Sequence, residues 1–309
     1  MREDRRPIAV MMSKRANVFY LEHVRLIQKD GRLMYLTETG QPVEKIVNIP
    51  DKNTALILLG KGTSITDAAA RKLAESNIML GFCGSGGSPL YGAVDITFIV
   101  PQDEYRPTEY MQAWARMWFD ENKRIGVARM FLAERLRLVE EKWNSYDLPL
   151  PVHAIEGLKK SISGANSTTD LLSAEALYAK GVYAHLARLY RLEFVREEGK
   201  RSKLTPSDTV NSYLDHGNYI AYGYASCALH TLGVSFAFPV LHGKTRRGAL
   251  VFDVADLVKD WLVMPLAFEY GAKMKPDNQF RAAVIERAQE EKVLDLLMTL
   301  IKAACEKCQ

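Results

Sequence analysis

Between Pro101 and Pro107 the periodicity of the chain changes, and that change limits the fold more than any single motif. Upstream, short runs rich in Val, Ile, Leu, Phe and Tyr are punctuated by Gly, Pro, Asn and Asp, the pattern of strands and turns. Residues 17–27 and 32–37 read as two strands, with Asp30-Gly31 between them as a hairpin signal. Residues 43–49, 54–59, 78–80 and 91–100 read as further strands, and 65–76 as a helix. Downstream, apolar residues recur every three or four positions, which predicts helices over 108–141, 152–163, 168–195, 207–232, 255–271 and 278–307. Gly126 is a possible break in the first of these, and Pro265 predicts a kink or an end in the fifth. The expected fold is α+β in two domains: a β-rich domain over 1–105 and an all-α domain over 106–309.

Hydrophobic residues make up 48% of the chain, enough for packed cores in both domains. The net charge of +4 is shared evenly along the sequence, so neither domain is basic as a whole and any nucleic-acid contact must come from local clusters. The start of the chain is charged and no stretch reads as a signal peptide or a membrane span, which points to a cytoplasmic protein without a membrane partner. Four cysteines are too few and too scattered for a disulfide framework. Cys305 and Cys308 form a lone C-x-x-C, a weak zinc or redox signal.

Chemistry concentrates between Pro239 and Asp260, where a histidine, two arginines and three aspartates sit in an apolar-rich segment. Residues 249–252 read as a short extended piece, followed by a helix from Val254. Asp253 and Asp256, three apart, then share a helix face, and His242 lies on the turn upstream. Asp253 has two readings, a cap of the helix or a member of the site. Glu175 sits on a stripe with Leu172, Ala179, Val182 and Leu186, so its carboxylate falls on a face that wants burial and needs a partner. That partner is either a metal ion or an arginine, Arg188 or Arg191. Glu, His and Asp without cysteine suit Mn2+ or Mg2+ better than structural zinc. Arg246 and Arg247 beside the histidine suggest a phosphate-bearing substrate. Metal-dependent phosphoryl transfer on a nucleic acid or nucleotide is the function these residues favour.

Other segments read more plainly. Gly60-Lys61-Gly62 lacks the Ser or Thr that must follow the lysine of a phosphate loop, so it is read as a turn into a helix capped by Thr63 or Ser64. The glycine-rich run 81–89 reads as a turn. Trp114, Trp118, Val127, Phe131, Leu132 and Leu136 are expected in the core, with base stacking by Trp114 or Trp118 as the functional alternative. Arg188, Arg191, Arg196, Lys200, Arg201 and Lys203 form either a solvated helix end or a phosphate-contacting patch. Ser207 or Asp208 is a candidate cap for the helix over 207–232.

With these residues in hand the chain resembles the universal CRISPR-associated integrase family, the larger of the two proteins that capture new spacers. The resemblance rests on Glu175, His242 and Asp256, on Leu-His followed by Phe-Asp-Val-Ala-Asp, and on Leu58 to Thr66. It spans nearly the whole chain, and the spacing of His242, Asp253 and Asp256 is closest to the type I-F branch. It implies a metal-dependent DNA endonuclease and integrase in which Glu175, His242 and Asp256 hold one divalent ion. Asp253 would be an additional catalytic acidic residue, and Arg246, Arg247 and Lys259 would contact DNA. It further implies a homodimer formed through the β domain and protospacer and CRISPR-repeat DNA as substrates. The expected partner is a smaller adaptation protein, in this branch fused to the helicase-nuclease. Asp208 and Asn211 match residues that open the corresponding helix in the family, whereas Ser173-Ala174-Glu175-Ala176 lacks the glycine that many relatives carry next to the glutamate. The competing classes are a non-enzymatic DNA-binding scaffold, in which the acidic groups are caps and ion pairs, and a small-molecule phosphohydrolase, for which the chain lacks a nucleotide loop.

Overall fold

The computed structural model describes residues 17–37, 45–83, 97–99, 108–199, 204–243 and 248–307. The chain divides into two compact units: Met1–Leu90 with Ile96–Tyr105, and Tyr91–Asp95 with Arg106–Gln309. The first is β-rich and the second helical, the α+β order that the change of periodicity implies.

The first unit holds two four-stranded sheets. One is ordered β1 (Asn17–Leu21), β5 (Thr54–Leu59), β7 (Met79–Phe82), β8 (Thr97–Ile99), parallel except for β8. The other is ordered β4 (Lys45–Ile49), β3 (Arg32–Thr37), β2 (Val24–Lys29), β6 (Ser64–Ile65). Asp30-Gly31 closes the β2–β3 hairpin in register Lys29 with Arg32, both turn residues taking positive φ as a tight turn requires. The single strand expected over 17–27 is split at His23, where φ is 51°. Leu26, Leu33 and Ile49 from one sheet and Ile57, Leu59 and Leu80 from the other close on Leu73 of α1 (Asp67–Glu75) in one apolar core. Thr66, rather than Thr63 or Ser64, caps α1, its hydroxyl accepting from the Ala69 amide at 3.2 Å. Gly60-Lys61-Gly62 is a turn. Residues 84–89 of the glycine-rich run lie outside the described residues.

The second unit comprises α2 (Glu109–Trp118), α3 (Glu121–Ser145), α4 (Val152–Gly164), α5 (Thr168–Leu189), α6 (Pro206–Thr231), α7 (Ala249–Val258), α8 (Met264–Ala272), α9 (Asp277–Glu290) and α10 (Val293–Lys307). The segment over 108–141 breaks not at Gly126 but at Phe119-Asp120, where Asp120 caps α3 by accepting from the Asn122 and Lys123 amides. A capping box opens α6: Thr205 accepts from the Asp208 amide and Asp208 returns to the Thr205 amide, so Thr205 is the cap in place of Ser207 or Asp208. α6 and α7 form the middle of the unit, and every residue of α7 is buried. Between α7 and α8 the helix widens into one π-helical turn, Lys259–Val263, and Pro265 enters immediately after it. The expected disruption at the proline is therefore taken up by the turn before it. No helix among the described residues is long and apolar enough to cross a membrane.

Candidate active site

α5, α7 and the loop before α7 bring three donor side chains together. α5 starts at a reciprocal cap, Ser167 accepting from the Asp170 amide and Asp170 from the Ser167 amide, which fixes the helical phase. Leu171, Tyr178, Val182 and Leu186 are buried, and Glu175 lies among them with a side chain only 13% exposed. α7 begins at Ala249 after Gly248, whose φ of 74° makes the turn into the helix. The expected extended piece over 249–252 is thus helix; an apolar run of that length fits a fully buried helix as well as a strand. The loop leading to His242 is pinned by two indoles, Trp114 Nε1 donating to Phe238 O at 3.0 Å and Trp118 Nε1 to Pro239 O at 2.6 Å. Trp114 is fully buried, so it is core and loop anchor together, not an open stacking face.

Asp253 is not the cap of α7, which starts four residues earlier. Its buried carboxylate accepts from the amides of Val240 (2.6 Å), Leu241 (3.2 Å) and His242 (2.9 Å), and it lies 2.8 Å from His242 Nδ1. An ionised carboxylate only accepts, so Nδ1 carries the proton and Nε2 presents its lone pair. That nitrogen lies 3.9 Å from Glu175 Oε2 and 3.6 Å from Asp256 Oδ2. The other oxygen of each carboxylate is already engaged: Glu175 Oε1 accepts from Arg135 Nη1 at 2.5 Å, and Asp256 Oδ1 is in contact with the Lys259 ammonium. Each of the three residues therefore has one polar atom held by a neighbour and a second turned toward a common point. One ligand atom from each of the three lies within 4.8 Å of the others.

Two carboxylate oxygens and an imidazole nitrogen suit a hard or borderline divalent cation. The charge balance agrees: Glu175, Asp253, Asp256 and Asp260 face Arg135 and Lys259, leaving two negative charges to offset when His242 is neutral. The same field acts on protons. Burial disfavours a charged His242, but the Asp253 hydrogen bond and the charges of Asp256, Asp253 and Glu175 outweigh it and raise its pKa. Burial likewise disfavours ionised Asp256, yet Lys259, Arg135 and His242 hold its pKa below the usual carboxylate range.

Arg135 was not among the sequence candidates, although the structure places it against the site. It is 3% exposed, pairs through Nε and Nη2 with both oxygens of Asp260, and reaches Glu175 as well. Glu175 pairs with an arginine through Oε1, that arginine is neither Arg188 nor Arg191, and Oε2 faces His242. A signal was present, because Arg135 shares the buried face of α3 with Ala128, Phe131, Leu132 and Leu138, where a charge needs a partner. Lys259 lies against Asp256 with its ammonium 5.2 Å from the Tyr222 ring centroid, and is largely buried. Arg246 and Arg247 lie outside the described residues, as do Lys200, Arg201 and Lys203. Of the expected basic patch, Arg188 is exposed, whereas Arg196 is bound to Asp215 (2.5 Å) and Asn211 Oδ1 (3.1 Å). Asn211, buried at the start of α6, also holds Val195 O and the Glu197 amide. Cys305 is buried with Sγ 3.6 Å from Tyr110 O, and Cys308 lies outside the described residues.

The family model described as CRISPR associated protein Cas1 matches residues 19–291. The chain belongs to the Cas1 family. It is 40% identical to the CRISPR-associated endonuclease Cas1 of Pseudomonas aeruginosa (strain UCBPP-PA14), over 96% of this chain and 95% of the relative. To the CRISPR-associated endonuclease Cas1 of Pectobacterium atrosepticum it is 38% identical, over 96% and 94%. Its Cas1 fold also aligns with a casposase solved bound to its integration product, with a TM-score of 0.67 at 14% identity over 94% of this chain and 91% of the other.

Proposed function

We propose that this Cas1-family chain is a divalent-metal-dependent DNA endonuclease and integrase that inserts captured DNA fragments as new spacers into a CRISPR array. The observation that carries the proposal is the convergence of Glu175 Oε2, His242 Nε2 and Asp256 Oδ2, the last with the Arg135 guanidinium 4.0 Å away. These three residues would hold Mn2+ or Mg2+. When bound, such an ion polarises a phosphate, stabilises the departing oxyanion and favours loss of a proton from the attacking hydroxyl or water. The chain's own part is positional and electrostatic. Asp253 keeps His242 turned with Nε2 inward, while Arg135 and Lys259 neutralise charge that would otherwise repel a phosphodiester. Arg246 and Arg247, with Lys259, are assigned to the DNA backbone.

In this proposal the 3′-hydroxyl of a captured fragment attacks a phosphodiester at the edge of the CRISPR repeat. The substrates are protospacer and repeat DNA, the chain acts as a homodimer, and the partner is the smaller adaptation protein. Support comes from the named activity of the two endonuclease relatives and from the casposase captured with its integration product.

The test is strand transfer of a labelled 3′-hydroxyl DNA in Mn2+ or Mg2+, with the partner present, comparing the parent with Asp256→Ala. Product from the parent, none from the variant and near-equal DNA affinity in both is the expected result. If both bind DNA equally and neither reacts, with or without metal, the chain is a scaffold and the enzymatic proposal fails.

A further inference from the structure

We infer that Arg135 is a positioning residue that sets which cation the centre accepts, because it leaves Glu175 only one oxygen to give. The inference rests on the ion proposed at Glu175, His242 and Asp256. Arg135 Nη1 donates to Glu175 Oε1 at 2.5 Å, while Oε2 is the oxygen that faces His242. The guanidinium is fixed from several sides. Nε and Nη2 donate to the two oxygens of the fully buried Asp260, with Nη2 to Oδ1 at 2.9 Å. The Tyr178 ring centroid lies 5.4 Å from its Cζ, and the Asp260 carbonyl accepts from Trp143 Nε1 at 3.1 Å. Glu175 can offer Oε1 to an ion only by sharing or giving up its bond to a guanidinium whose other nitrogens are fixed on Asp260. Lys259 places the same limit on Asp256 by occupying Oδ1.

Cations differ in how they tolerate that limit. Ca2+ gathers about six to eight oxygens and often takes a carboxylate by both, whereas Mg2+ is satisfied by near-octahedral sites completed with water. Mn2+ accepts imidazole with carboxylate and water. A centre built from one imidazole nitrogen and carboxylates confined to one oxygen each favours Mn2+ and Mg2+ and disfavours Ca2+. Releasing Glu175 Oε1 from Arg135 removes the handicap of Ca2+.

The experiment is calorimetric titration of Mn2+ and of Ca2+ into the full-length parent and into the double variant Arg135→Met, Asp260→Leu. Removing Arg135 together with Asp260 leaves no unpaired Asp260 in the core and releases Glu175 Oε1. The double variant removes one positive and one negative charge, so the net charge of the centre is kept and the ratio of the two dissociation constants reports geometry. The parent is expected to bind Mn2+ more tightly than Ca2+, and the variant to move the ratio toward Ca2+ by about tenfold, the scale of other changes made one step behind a metal ligand. Arg135→Lys keeps a charge but not the fork, should move the ratio the same way, and serves if the double variant does not melt cooperatively. An unchanged ratio in the folded variants, or a parent that prefers Ca2+, overturns the role given to Arg135. A parent that binds neither ion removes the proposed metal centre, and that role with it.

Discussion

Asp253 accepts three backbone amides and one imidazole nitrogen, and none of its oxygens faces the point where the three donor atoms converge. Its influence on chemistry is therefore indirect, through the tautomer and tilt of His242. Asp253→Asn keeps an acceptor for the amides but loses the charge that steadies the imidazole. We expect the variant to fold, to melt earlier by about 1–3 kcal/mol of lost charged hydrogen bonding, and to bind Mn2+ about 10–100-fold more weakly. Thermal melts and calorimetric titration check both. At this scale the sequence was partly legible. Glu175, His242 and Asp256 stood out because each put an ionisable group where its neighbours were apolar. Arg135 did not, since α3 also carries Arg124, Arg129, Glu134, Arg137, Glu140 and Glu141, and one buried charge is hidden among several that are partly or fully exposed.

Among the elements, the π-helical turn Lys259–Val263 does the most to place the site, since it carries both Lys259 and Asp260. It packs on α6 where Gly217 has no side chain, and a Cβ there would stand 2.3 Å from Val263 Cγ1 and 3.2 Å from the Phe280 ring. Gly217→Ala should destabilise the protein by about 1–3 kcal/mol through overpacking, read as a lower midpoint in urea. Elsewhere, Glu291 joins α3 to the end of α9 by accepting from Tyr146 Oη at 2.7 Å and pairing with Lys142 at 2.8 Å. Burial disfavours its charge, but those two partners win and lower its pKa. A carboxylate with a depressed folded pKa stabilises above its unfolded value of about 4.3, and that contribution disappears as pH falls through the folded pKa. Glu291→Gln should therefore melt below the parent at pH 7, by about 1 kcal/mol, with the gap closing as the pH drops below about 4. A gap that stays constant with pH would assign the loss to packing. Element types were readable from periodicity except over 249–252, expected as extended and found as helix. The ends were not where long-range contacts set them, as at Phe119-Asp120, or where a helix buried all round loses its 3.6-residue signature, as in α7.

For the molecule as a whole, the change of periodicity between Pro101 and Pro107 announced a β-rich region followed by a helical one, because strands and helices bury their apolar faces with different repeats. Assembly of the site was less accessible. Between Glu175 and His242 lie the rest of α5, two loops and all of α6, and nothing in local pattern says that the Glu175 side chain reaches His242 and Asp256. The chain's mild net charge of +4 was equally silent on a centre where carboxylates outnumber cations. The most direct test of the central claim is calorimetric titration of Mn2+ into the parent and into Glu175→Gln. The structure predicts saturable binding by the parent and its loss, or weakening by about 100-fold, in a variant that melts like the parent. Equal binding by the two proteins would contradict the placement of the ion at Glu175, His242 and Asp256.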